Sequence, residues 1–266
     1  MRSLATPAGA FDPLTPNWAR IHEYLTGGKS HFPPDRIAAD RMKDILPTVA
    51  TGLREQREFA ERAVRHIIST EGVTQVLELG CGLPRSRNIH EIAAALTPDA
   101  RTVYVSNDQM VLAHARALLA VDGLTTAVAG DLQAPQTALT DPAVRDLLDL
   151  DRPVIVLLVD VLHFTGDPAA IVADLSAELA PGSKLVLTHL CLDGLSPAAG
   201  KHLARVLADT DTPITPRPYR QIRALFSGLD LNEPGVIAVS QWRPDHELHH
   251  PTPQIIGGVG TWRGQP

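Results

Sequence analysis

Apolar and polar positions divide the chain into three regions. Residues 54–190 alternate short apolar runs with stretches whose apolar residues recur at helical spacing. Leu53, Phe59, Ala63, Val64, Ile67 and Ile68 return every three or four positions and predict a helix over 54–69. Residues 75–79 are a short apolar run that predicts a buried strand. A helix over 88–96 follows, stopped by Thr97-Pro98. Residues 102–105 predict a second strand. Val111, Leu112, Ala115, Leu118 and Leu119 give an apolar face to a helix over 110–119. A third strand is expected over 125–129 and a helix over 142–148. Residues 153–159, Pro-Val-Ile-Val-Leu-Leu-Val, are apolar without interruption, as strands are when both faces of a parallel sheet are covered. A helix over 169–179, closed by Pro181-Gly182, and a strand over 184–188 complete the series.

Strands alternating with helices predict an α/β fold, Rossmann-like, with a mainly parallel sheet and right-handed crossovers. Ligands of such sheets sit beyond the carboxyl ends of the strands, where strand order reverses. Residues 1–50 are mixed, and 191–266 are looser and richer in Pro and His. The reading therefore divides the chain into an N-terminal extension over 1–53 and a sheet domain over 54–266.

Composition narrows the function classes. Of 266 residues 44% are hydrophobic and 20% charged, enough for a full globular core. The net charge of −6, without any Lys/Arg run, disfavours nucleic acid as a partner. Cys81 and Cys191 are the two cysteines, and neither belongs to a CxxC pair. Eleven histidines are present without HExxH or another metal spacing, so no metal is expected. Neither a signal-peptide core nor an apolar stretch of membrane-spanning length is visible, so a cytoplasmic protein without a membrane partner is expected.

The residues after each strand carry the candidate chemistry. The first strand runs into Glu78-Leu79-Gly80-Cys81-Gly82-Leu83-Pro84. Two glycines permit a sharp turn and a close backbone approach to a ligand. The following helix offers a positive N-terminus suited to a carboxylate. Arg85 stands where a third glycine would complete a dinucleotide-binding fingerprint, which disfavours NAD or FAD. A tight turn without a ligand is the alternative, and Cys81 is simplest as a small residue in it. After the second strand come Ser106-Asn107-Asp108, where a carboxylate would accept from ribose hydroxyls. After the third come Asp131 and Leu132, fit for an adenine pocket, with a helix N-cap as the alternative role for Asp131. After the fourth come Asp160-Val161-Leu162-His163-Phe164, expected to face the reacting centre.

Together the Glu-Leu-Gly-Cys-Gly loop, the Gly-Asp-Leu segment and the Val-Leu-His-Phe segment resemble class I S-adenosylmethionine (SAM)-dependent methyltransferases. More narrowly, the chain resembles an actinobacterial group of SAM-methyltransferase-like proteins. Residues 19–32 are similar to that group's ARIYDYLLGGKDNF. Gly82-Leu83-Pro84, Asn88-Ile89-His90-Glu91, Val111-Leu112-Ala113-His114-Ala115-Arg116, Leu150-Asp151-Arg152-Pro153 and Trp242-Arg243-Pro244-Asp245 add to the likeness, which spans residues 16–260. It implies a seven-stranded sheet whose last strands come from 229–232 and from 236–240 or 254–259. It also implies SAM as cofactor and an N-terminal lid carrying Arg20, His22, Tyr24, Gly28, His31 and Phe32. Ser106 departs from the group's usual Asp, and His22, Glu23, Ser30 and His31 replace Tyr, Asp, Asp and Asn, which suggests a specialised member whose cofactor use has drifted; a place in secondary metabolism is expected.

Methyl transfer from a sulfonium needs alignment and exclusion of water, with a base when the acceptor is a hydroxyl or a protonated amine. His163 is the first candidate base and His189 the second; a structural histidine is the alternative for each. His249 and His250 fit a solvated loop. Trp18, Tyr24 and Phe32 suit either a lid face or plain core, and Trp242 and Trp262 the packing of the C-terminal strands. The expected function is methylation of O or N of a small-molecule metabolite. The alternative is a SAM-binding protein of the same fold that does not methylate. A nucleic-acid methyltransferase lacks its Asn-Pro-Pro-Tyr signature here. A homodimer is the assembly left open.

Overall fold

Each of the five strands expected between 75 and 190 forms. The computed structural model describes residues 11–211, 213–245 and 252–263. Strands β1 (Gln75–Leu79), β2 (Arg101–Ser106), β3 (Thr125–Ala129), β4 (Ile155–Val159) and β5 (Lys184–Leu190) pair in parallel. β6 (Leu229–Leu231) and β7 (Ile237–Ala238) are short, and β8 (Ile255–Trp262) runs antiparallel to β5. The order is β3-β2-β1-β4-β5-β8-β6, with β7 also on β8, and it reverses between β1 and β4.

Helices α1 (Trp18–Leu25), α2 (Pro33–Ile45), α3 (Val49–Glu71), α4 (Ile89–Leu96) and α5 (Gln109–Leu118) lie in the N-terminal half of the chain. Helices α6 (Pro135–Leu139), α7 (Pro142–Leu147), α8 (Pro168–Glu178), α9 (Pro197–Ala208) and α10 (Tyr219–Ala224) follow. Alternate strand residues feed two core layers, because successive side chains in a strand point to opposite faces. Val76, Ile155, Leu157 and Val186 pack with α1–α4 and α9. Leu77, Val156, Leu158, Leu185 and Leu187 pack with α6, α7, α8 and α10. Burial on both faces explains why β4 is apolar throughout. Side-chain caps fix several helix starts: Asn17, Asp108, Asp141, Asp167 and Ser196 each accept a backbone N–H of the helix they precede.

The structure adjusts several expectations. The division placed at residue 53 falls inside α3, which begins at Val49 and is capped by Gly72 (φ 70°). The N-terminal segment holds two helices whose Ile21, Leu25, Ala39 and Met42 join the same core as Phe59 and Val64. The sheet has the seven expected strand positions, the last of them shared by the short β6 and β7. β6 and β7 run along one edge of β8, separated by a turn at Pro234-Gly235 in which Gly235 N–H donates to Asn232 O. Both alternatives for the last strand are thus used. The loose C-terminal region contains α9 and α10. Trp262 lies in β8, whereas Trp242 meets Phe59 of α3 edge-on at 5.3 Å. His249 and His250 lie outside the described residues. Among the described residues, no helix is long and apolar enough to cross a membrane.

Candidate functional site

A cavity of about 350 Å³ opens at the carboxyl ends of β1–β4, beside the reversal of strand order. Its floor is the loops that follow the strands: Gly80–Leu83, Ser106–Asp108, Gly130–Gln133, and Asp160, Val161 and Phe164. Its walls are Asn17, Trp18, Ala19 and His22 of the α1 region, Gln56 and Arg57 of α3, Arg85, and Asp211 beyond α9.

The two loop glycines do different work. Both have positive φ, 75° at Gly80 and 67° at Gly82. A Cβ on Gly80 would stand 2.4 Å from Val161 Cγ1, so this glycine is needed by the protein's own packing. A Cβ on Gly82 would meet nothing within 4 Å. Only the second fits the expectation of a backbone left open for a ligand. Beneath the loop, Glu78 is 4% exposed, with Arg57 Nη1 3.4 Å from its Oε1 and no hydrogen-bond partner for its Oε2. Burial raises its carboxyl above the usual range. Burial, and then Glu78, also pushes the half-buried Cys81 thiol up, which keeps it protonated.

At the end of β2, Ser106 Oγ accepts from Asp108 N–H at 3.1 Å. Asp108 caps α5 through Oδ1, and its Oδ2 accepts from Asn17 Nδ2 at 2.9 Å. The same Asn17 amide reaches Asp211 Oδ2 at 2.8 Å, which ties α1 to the segment beyond α9. Asn107 is exposed on the rim. Asp131 is exposed too, and its Oδ1 accepts from Gln133 N–H at 2.9 Å in an Asx turn. Leu132 lines the wall beside it.

Asp160 is the most constrained residue of the site. It is buried, and its φ of 62° is left-handed, rare outside Gly and Asn/Asp. Its N–H donates to Thr188 Oγ1 at 3.0 Å. Its carboxylate accepts from Trp18 Nε1 at 2.7 Å and from Gln56 Nε2 at 3.3 Å, and His163 Nε2 lies 3.0 Å away. Burial works to raise this carboxyl, but the contact with His163 and the Trp18 N–H outweigh it and hold it below the usual range.

The two candidate bases are not on the cavity. The turn of 3-10 helix at Leu162–Phe164 rotates His163 into the interior, where its ring packs edge-on against Trp18 and His189. His189 is fully buried behind it: Nδ1 meets Leu190 O at 2.9 Å, and Nε2 accepts from Arg217 Nη1 at 2.8 Å. Burial, then His163, pushes its pKa down to about 3. The expectation that His163 faces the acceptor is therefore corrected by the backbone path after β4.

One member of the N-terminal set, His22, reaches the cavity, with its Nδ1 2.5 Å from Arg85 Nη2. Arg20 is 3% exposed and organises its own segment: Nε binds Asp35 Oδ2 at 2.9 Å, and Nη2 donates to the carbonyls of Asp12 and Thr15. Phe32 lies against the Arg20 guanidinium, and Tyr24 stacks edge-on with His31, 4.8 Å between centroids. Gly28 is required because a Cβ there would collide with Glu23, whose carboxylate accepts the N–H groups of Lys29 and Ser30. Tyr24, Gly28, His31 and Phe32 thus shape the segment away from the cavity.

Asn17, Gln56, Arg57 and Asp211 complete the site without having been read from the sequence. Gln56 carried a signal: it is a polar residue on the apolar face of α3, three positions from Leu53 and from Phe59, and is 1% exposed. Among the described residues no cluster of three His, Cys, Asp or Glu could hold a metal ion.

Comparison with known proteins bears on this geometry. A model of the S-adenosyl methyltransferase family matches residues 5–263. A crystal structure from Thermobifida fusca, described as a candidate methyltransferase, superposes with a TM-score of 0.89 at 36% identity and covers 99% of this chain and 100% of its own. A DUF574 family protein from Streptomyces avermitilis gives 0.87 at 33% identity, covering 93% and 98%. The plantazolicin methyltransferase BamL, solved with a triazolic desmethylPZN analog and SAH (S-adenosylhomocysteine), shares the fold at 11% identity and a TM-score of 0.55, covering 92% and 96%. None of the curated proteins matches the chain.

Proposed function

The chain belongs to the S-adenosyl methyltransferase family, and on that premise we propose that it methylates an oxygen or nitrogen of a small-molecule acceptor held beneath α1. It is a SAM-dependent methyltransferase; the acceptor class and the residue roles are the proposal. The observation that carries it is the cavity, about 350 Å³, whose outer wall is Asn17, Trp18 and His22. That volume suits a small ligand and not a folded macromolecule.

Two features fit the cofactor: the orphaned, buried Glu78 Oε2 and the open space at Gly82. Glu78 would accept from the ammonium of the methionine moiety. Ser106 and Asn107 would meet the ribose, and Asp131 with Leu132 the adenine. SAM supplies an electrophilic methyl group on a sulfonium. The ionised Asp160 keeps negative charge at the inner end of the cavity and is held there by Trp18 and Gln56. Trp18 and Phe164 exclude water from that end.

Among the described residues, His22 is the histidine that faces the cavity, and it is not a strong base. His22 is pushed down to about 3 by burial and then by Arg85, so it stays neutral at physiological pH. Rate enhancement then rests on alignment and on an acceptor that brings its own lone pair, such as a neutral amine or an ionised hydroxyl. The test is to incubate the protein with SAM and a panel of small phenols, amines and carboxylic acids, following SAH release and the gain of one CH2 unit by mass spectrometry. Methylated small molecule in step with SAH is the expected result. Methyl label recovered only in RNA or protein would contradict the proposal.

A further inference from the structure

Of the two arginines that line the cavity, Arg85 is the one without a carboxylate in contact. Arg85 lines the wall, and the side chain it meets is neutral: Nη2 lies 2.5 Å from His22 Nδ1 and 3.4 Å from His22 Nε2. A guanidinium can only donate, so Nδ1 is the acceptor and the imidazole proton sits on Nε2. Arg85 forms no ion pair with a carboxylate among the described residues. Arg57, the second cation of the cavity, is already engaged, with Glu78 at 3.4 Å and Glu61 at 3.8 Å. Burial, and then Arg57, pushes the Arg85 pKa down to about 10, against the pull of Glu78, Asp160 and Glu23, none of which forms an ion pair with it. A half-buried cation with no carboxylate in contact gains from a ligand that brings one.

The neighbouring helix start does not fill this role. The N-terminus of α4 was the expected seat for a ligand carboxylate, but Glu91 occupies it. Its Oε2 accepts from Asn88 N–H at 2.5 Å and from Asn88 Nδ2 at 3.1 Å. Asn88 in turn pins the Arg85 backbone at both its N–H (3.0 Å) and its carbonyl (2.9 Å). The loop that turns at Gly82 therefore presents a backbone-anchored guanidinium to the cavity, with its far end held by α1 through His22.

We infer that Arg85 is the carboxylate-binding group of this site, and that His22 orients it from α1. The inference rests on the cofactor reading above. The carboxylate could come from the methionine moiety of the cofactor or from the acceptor, and the two sources are separable. SAH and its decarboxylated analogue, S-adenosyl-3-thiopropylamine, differ only in that group.

The experiment is calorimetric titration of the wild type, Arg85→Met and Arg85→Lys with both nucleosides, and of the SAH-loaded proteins with benzoate. For a cofactor carboxylate, Arg85→Met weakens SAH by about 10- to 100-fold, to the level of the decarboxylated analogue. Binding of the analogue is unchanged, which also shows that the variant is folded, and Arg85→Lys restores part of the loss. For an acceptor carboxylate, SAH binding is unaffected and Arg85→Met abolishes benzoate binding to the loaded protein. Equal weakening of SAH and its analogue, or no dependence on Arg85 in either titration, overturns the inference. Failure of the wild type to bind either nucleoside overturns instead the cofactor reading beneath it.

Discussion

Replacing Asp160 by Asn tests the charge at the inner end of the cavity. The variant keeps the side-chain shape and, because Asn tolerates the left-handed region, also the φ of 62°. It keeps one acceptor oxygen for Trp18 Nε1, now 2.7 Å from Oδ2, but turns an amide N–H2 toward Gln56 Nε2 and His163 Nε2 at 3.3 and 3.0 Å. A hydrogen bond to a charged group contributes about 1.5–3 kcal/mol, so the loss at pH 7 should be about 2 kcal/mol. The charge also sets a pH signature. The folded carboxyl is held below its usual range, so its contribution is present above the unfolded value near 3.9 and is lost as pH falls through the lower folded value. Urea unfolding of both proteins, compared at equal m, should show a constant difference from pH 7 to about pH 5, shrinking below about pH 4. Equal stability at pH 7, or a difference unchanged at pH 3, would refute the reasoning.

The two loop glycines should separate stability from binding. Gly80→Ala meets Val161 and a positive φ and should cost about 2–4 kcal/mol in urea unfolding, while Gly82→Ala, with strain alone, should cost about 1–2 kcal/mol but weaken SAH binding more; the reverse order would relocate the cradle. Ser106→Asp adds an anion at the end of β2, beside the Asp108 N–H that now donates to Ser106 Oγ, and should tighten SAM by about tenfold in calorimetry. Weaker binding would mean that the ribose is held elsewhere.

The strands were legible because β1, β4 and β5 are buried on both faces: β4 is apolar throughout, and β5 carries the run Leu185-Val186-Leu187. The loops after them were legible for the same reason, since a parallel sheet fixes where its carboxyl ends lie. Helix faces were harder to read. Arg57 and Gln56 look like ordinary positions of α3 until the sheet beneath them is placed. The orientation of His163 depends on a single turn of 3-10 helix, which periodicity does not resolve. The N-terminal helices are short and amphipathic, and their start depends on a buried Asp35 that gathers Asn17 N–H, Arg20 Nε and Phe32 N–H, a long-range arrangement invisible to local spacing. That β6 and β7 share one edge of β8 was hidden because the reading needed only one of 236–240 and 254–259 beside 229–232.

The account turns on the cavity being a SAM site, and parallel calorimetric titration of the purified protein with SAM, SAH and NAD tests this most directly. Micromolar binding of SAM and SAH, with no heat from NAD, is the predicted result. Binding of NAD, or of none of the three, would contradict it.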